Sequence, residues 1–300
     1  MSRSTLCNLF HQTAQATSPL WQRLRELVPE YALVLADETP IPVLEPPKDK
    51  THKGYIWTFI TVDFICYRYS RTRSGETPIA MLKDSTVTLL VDGYSGYNAV
   101  CTPQNRTRTG CFSHVRRKFF DAKSQSNDLA EQSLDMISRL YQIEYQAAEL
   151  GILHTAQHLA LRQERSSIVI TELHSWLKEH EGSELPQSAI GRAIAYTLNN
   201  WEALTQFLID PKIPLDNNRS ERALRIVALG RKNYLFAGSD EAAENLAGLY
   251  SLVATCELHG ISPEEYLADV LIRVHTHPSK NLDELLPHKW RKPEVQVKSD

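Results

Sequence analysis

Apolar residues between positions 4 and 29 recur at near-helical spacing and stop by Pro29, so the chain is expected to open with a helical segment capped by Ser4 or Thr5. From Tyr31 the pattern changes. YALVLADE, GYIWTFITVDF and ICYRYSR are apolar, β-branched and aromatic runs set between Gly, Pro and polar clusters, and they predict three consecutive strands. SGETPIAMLKD then offers Ser74 as a helix cap, and TLLVD at 88–92 predicts a short buried strand before the turn-like GYSGYN. Beyond Asp121 the periodicity is helical. Leu134, Ile137, Leu140 and Tyr141 form one stripe, and Ile190, Ile194, Leu198, Trp201, Leu204 and Leu208 form another, which reads as an all-helical insertion. Pro211 and Pro214 break it, after which Asn217 or Asn218 caps a helix through RSERALRIVALG. A helix through ENLAGLYSLVATCEL stops at Gly260, and Ser262, Pro263 and Glu265 start the next as a capping box.

Three carboxylates stand out in this order of elements. Asp37 ends the first predicted strand and Asp92 the short buried one, at the strand end where open α/β sheets gather ligands. Glu221 lies in the first turn of the helix after the insertion. Hard oxygen ligands with no His or Cys beside them suit Mg²⁺ or Mn²⁺, and a pair of such ions about 3.5–4 Å apart serves phosphoryl transfer. Placement alone is a weak signal, because the chain has 36 acidic residues and helix dipoles favour Glu in first turns. Glu38 should point to the opposite face from Asp37, and Asp216 reads as a turn or cap residue.

Charge adds to the picture locally. The net charge of −3 produces no global positive field. QNRTRTGCFSHVRRKFF nevertheless carries Arg106, Arg108, Arg116, Arg117 and Lys118 without an acid, and 217–232 carries Arg219, Arg222, Arg225, Arg231 and Lys232 against Glu221 alone. Such runs hold phosphate backbones, although either one taken singly reads equally well as a solvated helix face. Five cysteines without a CxxC pair fit a reducing compartment. With no apolar run long enough to span a bilayer and no secretory signal pattern, a cytoplasmic location is expected. Cys101, Cys111 and His114 lack a fourth ligand at zinc-finger spacing, and His275 and His277 read as helix-end residues. Neither a G-x-S-x-G elbow nor a phosphate-binding P-loop occurs.

ADETPIPVLEP, GYIWTF, RSGETP, VDGYSGYNAV, GCFSHVRRKFFDA, DNNRSERALR, GRKNYLFAGSD, LVATCELHGISPEEYL and ELLPHKW follow one another in an order that resembles the insertion-sequence-66 family of bacterial transposases. The resemblance implies an α/β fold: an RNase H-like mixed sheet flanked by helices, with an all-helical insertion and a small helical C-terminal domain. On that basis the chain divides into a helical lead-in (1–30), a DDE-type core (31–238, insertion about 122–215), a C-terminal helical domain (239–290) and a frayed tail (291–300). Phe112 stands where the family commonly has Trp.

The resemblance also implies roles. The catalytic, metal-binding triad falls on Asp37 of ADET, Asp92 of VDGY and Glu221 of NNRSER, with two Mg²⁺ or Mn²⁺ ions. Arg116, Arg117, Lys118, Arg231 and Lys232 are expected to hold DNA phosphates, and Asn217, Asn218 and Arg222 to position Glu221 or the substrate strand. Transposon ends and target DNA are the expected partners, with a homo-oligomer on DNA, other transposition proteins of the element, and no membrane. Family members carry a helix-turn-helix-like segment and a cysteine-rich segment upstream of the matching region, and this chain is expected to lack them. Two alternatives stay open: a truncated, non-catalytic remnant that binds DNA or intact transposase, and an RNase H-like nuclease or resolvase without a joining step.

Overall fold

The computed structural model of the chain describes residues 1–45, 47, 50–102 and 106–292. The expected fraying of the tail therefore lies, from residue 293 on, outside the described residues. In chain order the elements are α1 (Arg3–Ala16), α2 (Ser18–Leu27), β1 (Leu33–Glu45), β2 (Lys50–Ile60), β3 (Ile65–Ser70), α3 (Glu76–Leu82), β4 (Thr88–Leu90) and β5 (Arg108–Thr109). They continue with α4 (Phe112–Ala122), α5 (Asn127–Glu149), α6 (Ala156–Leu161), α7 (Ser167–His180), α8 (Ala189–Asn199), α9 (Trp201–Thr205), α10 (Asn218–Asn233), α11 (Asp240–Leu258) and α12 (Pro263–Arg273). The chain forms two compact units, one of Met1–Ser85 with Arg219–Asp300 and one of Thr86–Asn218. The architecture is α/β with strands of mixed direction, antiparallel in the first unit and parallel in the second, as an RNase H-like fold requires.

In the first unit β1, β2 and β3 form an antiparallel meander whose buried residues include Val34, Ile41, Ile56, Trp57, Phe59 and Tyr67. The three expected strands are present, with shifted bounds: β2 starts at Lys50, before Gly54, and stops at Ile60, where Thr61 Oγ1 accepts from the Asp63 (3.2 Å) and Phe64 (3.0 Å) N–H groups and turns the chain. β1 does not end at Asp37; it runs on through Pro40 and Pro42 to Glu45, with Asp37 opposite Thr58 in mid-strand. Prolines usually stop a strand because they cannot donate to a ladder. Here both occupy positions whose N–H would face away from β2. Leu44, of the same parity, donates to the Ala237 carbonyl instead (2.8 Å), and the Pro42 carbonyl accepts from Ala237 (2.9 Å). The prolines therefore cost no rung of the β1–β2 ladder.

The outer edge of β3 is sealed by a helix. The N–H groups of Ile65, Tyr67 and Tyr69 donate to Thr255 Oγ1 (3.2 Å), Ser251 Oγ (2.8 Å) and Glu244 Oε2 (3.1 Å), three residues on one face of α11. Side chains thus satisfy groups that a neighbouring strand would otherwise bond, and the edge offers no template for another chain. On α11, Gly248 faces Trp21 of α2, where a Cβ would stand 2.6 Å from the indole. Ser2 rather than Ser4 or Thr5 caps α1, accepting from Thr5 N–H (3.1 Å). Gly75 rather than Ser74 precedes α3, with Ser74 Oγ accepting from Glu76 N–H (3.2 Å). Ser262 caps α12 as its capping pattern predicts, with Pro263 in the first turn.

In the second unit β4 and β5 form a short parallel pair, and β4 ends at Leu90, two residues before Asp92. Ile137 and Leu140 of the first stripe are buried with Ile190, Ile194 and Leu204 of the second. The chain leaving this helical block returns to the start of α4: Phe112 N–H donates to Leu215 O (3.1 Å) and Asn217 N–H to Cys111 Sγ (3.1 Å). Arg162, fully buried at the first position of a single π-helical turn, clasps the block. Its guanidinium forks onto Glu144 (2.7 and 2.6 Å) and donates to the carbonyls of Phe207 (2.9 Å) and Ile213 (3.0 Å). A buried charge is tolerated when its hydrogen-bonding groups are met in this way.

Candidate active site

Asp37 and Glu221 lie in the first unit. Asp37 is half-buried, and its Oδ1 accepts the Glu38 N–H (2.8 Å). The next side chain turns to the other face, as strand alternation demands. The Glu38 side chain is only 1% exposed and paired with Arg73 at 2.5 Å, so its charge serves the fold. Glu221 is half-buried in the first turn of α10. That helix is tied to the sheet by Arg219, which donates to Thr61 O (3.2 Å), and by the Tyr67 hydroxyl, which donates to Ala223 O (2.8 Å). Burial and neighbouring Arg222 push the Arg219 guanidinium's pKa down.

Asp92 lies in the second unit, in the loop after β4, and is also half-buried. Its Oδ1 accepts the Tyr94 N–H (2.9 Å), and its carbonyl accepts from Arg108 (2.6 Å). Arg108 also donates to Tyr94 O (3.3 Å) and Asn98 Oδ1 (2.7 Å), strapping the loop down. Gly93 N–H donates to the Tyr196 hydroxyl at 3.1 Å. A Cβ on Gly93 would lie 2.4 Å from Tyr196 Cε2, so this close approach requires glycine. Burial, with the charge of Asp92 adding to it, pushes the Tyr196 phenol up to about 12. The ammonium of Lys118 sits 4.4 Å from the centre of that ring, a cation–π contact.

Arg108 and Tyr196 are the residues that the sequence reading leaves out. Arg108 was visible only as one member of a basic run. Tyr196 had no signal, because it belongs to a helix more than a hundred residues from Asp92 and its partner is a backbone N–H. Asp216 is the turn residue expected, accepting from Asn218 N–H (3.0 Å) and Nδ2 (2.6 Å). Asn217 is fully buried and Asn218 half-buried in the second unit, and Arg222 is exposed in the first.

Arg116, Arg117 and Lys118 are exposed along α4. Lys232 is exposed at the end of α10, and half-buried Arg231 donates to the Pro40 carbonyl. Cys111 is buried against Ser113 and Asn217, and burial raises its pKa. His277 meets the Asn281 carbonyl at 3.0 Å near the end of α12.

Among the described residues no three His, Cys, Asp or Glu side chains are grouped as a preformed metal site. The donor chemistry of Asp37, Asp92 and Glu221 is nonetheless wholly carboxylate oxygen, which fits Mg²⁺ or Mn²⁺ and not a thiophilic ion. No helix among the described residues is long and apolar enough to cross a membrane.

Comparison with known proteins adds two family matches. Residues 1–245 match the family described as "Transposase IS66 family", and residues 251–288 match "IS66 C-terminal element". Similar curated proteins include three uncharacterized proteins of Sinorhizobium fredii (strain NBRC 101917 / NGR234). The protein y4hP is 32% identical over 97% of this chain and 57% of its own length, y4qI 30% over 97% and 57%, and y4jD 31% over 98% and 61%. The chain thus spans somewhat over half the length of these relatives.

Proposed function

Because the chain belongs to the IS66 transposase family, we propose that it carries the catalytic core of a DDE-type DNA transposase. The observation that carries this reading is the family match over residues 1–245, which spans Asp37, Asp92 and Glu221 in their motifs. These three carboxylates would hold Mg²⁺ or Mn²⁺. When bound, two such ions activate the attacking oxygen and stabilise the leaving one in an in-line displacement. In the first step water attacks the phosphodiester at the transposon end, and the departing oxygen becomes a 3′-hydroxyl. In the second that hydroxyl attacks a target phosphodiester, forming one P–O bond as another breaks.

The chain's own residues bind and orient. The β1–β2 ladder fixes Asp37, Arg108 and Tyr196 fix the loop of Asp92, and the first turn of α10 presents Glu221. Arg116, Arg117, Lys118, Arg231 and Lys232 hold DNA phosphates, while Asn217, Asn218 and Arg222 position Glu221 or the substrate strand. The working form is a homo-oligomer assembled on DNA, with further proteins of the element as partners, acting in the cytoplasm on nucleoid DNA.

Strand transfer with pre-cut ends of the source element and Mg²⁺ or Mn²⁺ tests this reading. Joined product is expected from the wild-type chain and not from Asp37→Asn, Asp92→Asn or Glu221→Gln. Undiminished product from any of these variants, or salt-sensitive DNA binding without joining by wild type, would overturn the catalytic reading.

A further inference from the structure

The link between α10 and α11 carries two large apolar side chains in solvent: Leu235 is 85% exposed and Phe236 40%. The next residue, Ala237, is pinned to β1 by hydrogen bonds in both directions with Pro42 and Leu44. Arg231 is bonded to the Pro40 carbonyl on the other side of the tip. Gly230 brings the end of α10 against Tyr250 and Tyr234, where a Cβ would stand 2.3 Å from the Tyr250 hydroxyl. The tip is therefore anchored on both flanks and presents its apolar pair outward.

The exposed row that leads to it along α10 is cationic, and Glu45 and Asp240, beyond Ala237, are both paired with Arg71. Arg222, Arg225, Leu229 and Lys232 are exposed and spaced 3, 4 and 3 residues apart. That spacing makes one stripe along α10, leading from the turn that holds Glu221 to the tip. Cations in a row suit phosphates, and Leu or Phe at the end of such a row suits insertion between stacked bases, which kinks a duplex. A purely apolar partner would leave the guanidinium groups without counter-charges.

We propose that Leu235 and Phe236 form a wedge that enters the base stack of the DNA whose phosphates lie along Arg222, Arg225 and Lys232. This rests on the transposase reading and adds how the DNA is gripped: it is distorted beside the stripe as well as bound along it.

The test uses the full chain without divalent metal and a mixed-sequence duplex in which every adenine of one strand is a fluorescent analogue that brightens on unstacking. Wild type is expected to brighten the duplex about twofold or more, with salt-sensitive binding. The Leu235→Ser/Phe236→Ser variant should keep the salt dependence and lose the brightening, and Phe236→Leu should retain it. Arg225→Ala/Lys232→Ala should lower the salt slope by about two while brightening persists at saturation. Thermal melting separates these effects from loss of fold. Wild-type binding without brightening, or equal brightening by the serine variant, overturns the wedge. If the serine variant instead changes the oligomeric mass and brightens normally, the tip belongs to an interface between copies and the wedge is wrong. Absence of any salt-sensitive DNA binding by wild type would sink the transposase reading itself, and the wedge with it.

Discussion

The two units hold their candidate carboxylates by different means. In the first, Asp37 sits in mid-strand, its backbone locked into a ladder that runs from Leu35 to Glu45 and is backed by a further sealed strand. In the second, β4 and β5 share a parallel register of two residue pairs, and beyond the Val91 N–H bond to Thr109 O (3.1 Å) the loop of Asp92 is tied by two side chains, Arg108 and Tyr196. A ladder distributes positional information over many backbone groups, so no single side-chain deletion removes it. A loop tied by one guanidinium and one phenol is vulnerable at either. The second unit repeats this dependence deeper down, where Arg162 gathers Glu144, which His158 also meets at 3.3 Å, and the carbonyls near residue 210.

The largest stability effect is expected at Arg162. Arg162→Ala removes the guanidinium from Glu144, leaving it only the His158 contact, and leaves several carbonyls without their donor; it should cost about 3–5 kcal/mol in urea unfolding. Next comes the loop of Asp92. Gly93→Ala and Arg108→Ala should each lower strand transfer by about tenfold to a hundredfold with the fold retained. Arg108→Lys should restore little, since an ammonium cannot reproduce the fork. A loss no larger than that of an exposed control such as Arg192→Ala would remove the distinction between the two units. In the first unit the edge seal is divided among three side chains. Ser251→Ala or Thr255→Val should therefore cost only about 1 kcal/mol each by thermal melting.

The smallest expected effect is a pH dependence shared by both units. Burial lowers the pKa of His158 in the second unit and of His288 in the first from the ordinary 6.5. Below 6.5 the unfolded chain takes up protons that the folded chain refuses, so stability falls from about that pH down to each folded pKa and then levels. Urea midpoints measured between neutral pH and pH 5 should fall, and His158→Gln with His288→Gln should flatten the curve.

Much of this was legible in the sequence where period and composition agree. The presence of β1, β2 and β3, the start of β3, the helical stripes around Ile137 and Ile194, and the Ser262 cap follow from local pattern. Local pattern misleads where tertiary pairing decides. Pro40 and Pro42 look like strand terminators, and only their parity against β2 makes them harmless. Nothing in the local pattern marks Ser251 and Thr255 as the residues that face the outer edge of β3. Arg162 gives no signal in the sequence, because the carboxylate and carbonyls that surround it come from residues 144 and 207–213. The carboxylates could be singled out from their places next to strands and at a helix start, while the grip on Asp92 could not: Arg108 shows only as one member of a basic run, and Tyr196 comes from a distant segment.

The central proposal is that Asp37, Asp92 and Glu221 serve the same metal ions. Replacing Mg²⁺ by Fe²⁺ and generating hydroxyl radicals at the bound ion cuts the backbone close to the metal, and mass spectrometry reads where. The account predicts cuts near residues 37, 92 and 221 that are suppressed by excess Mg²⁺ and diminish together in Asp92→Asn. Cuts confined to one of these segments, or unchanged in that variant, would contradict it.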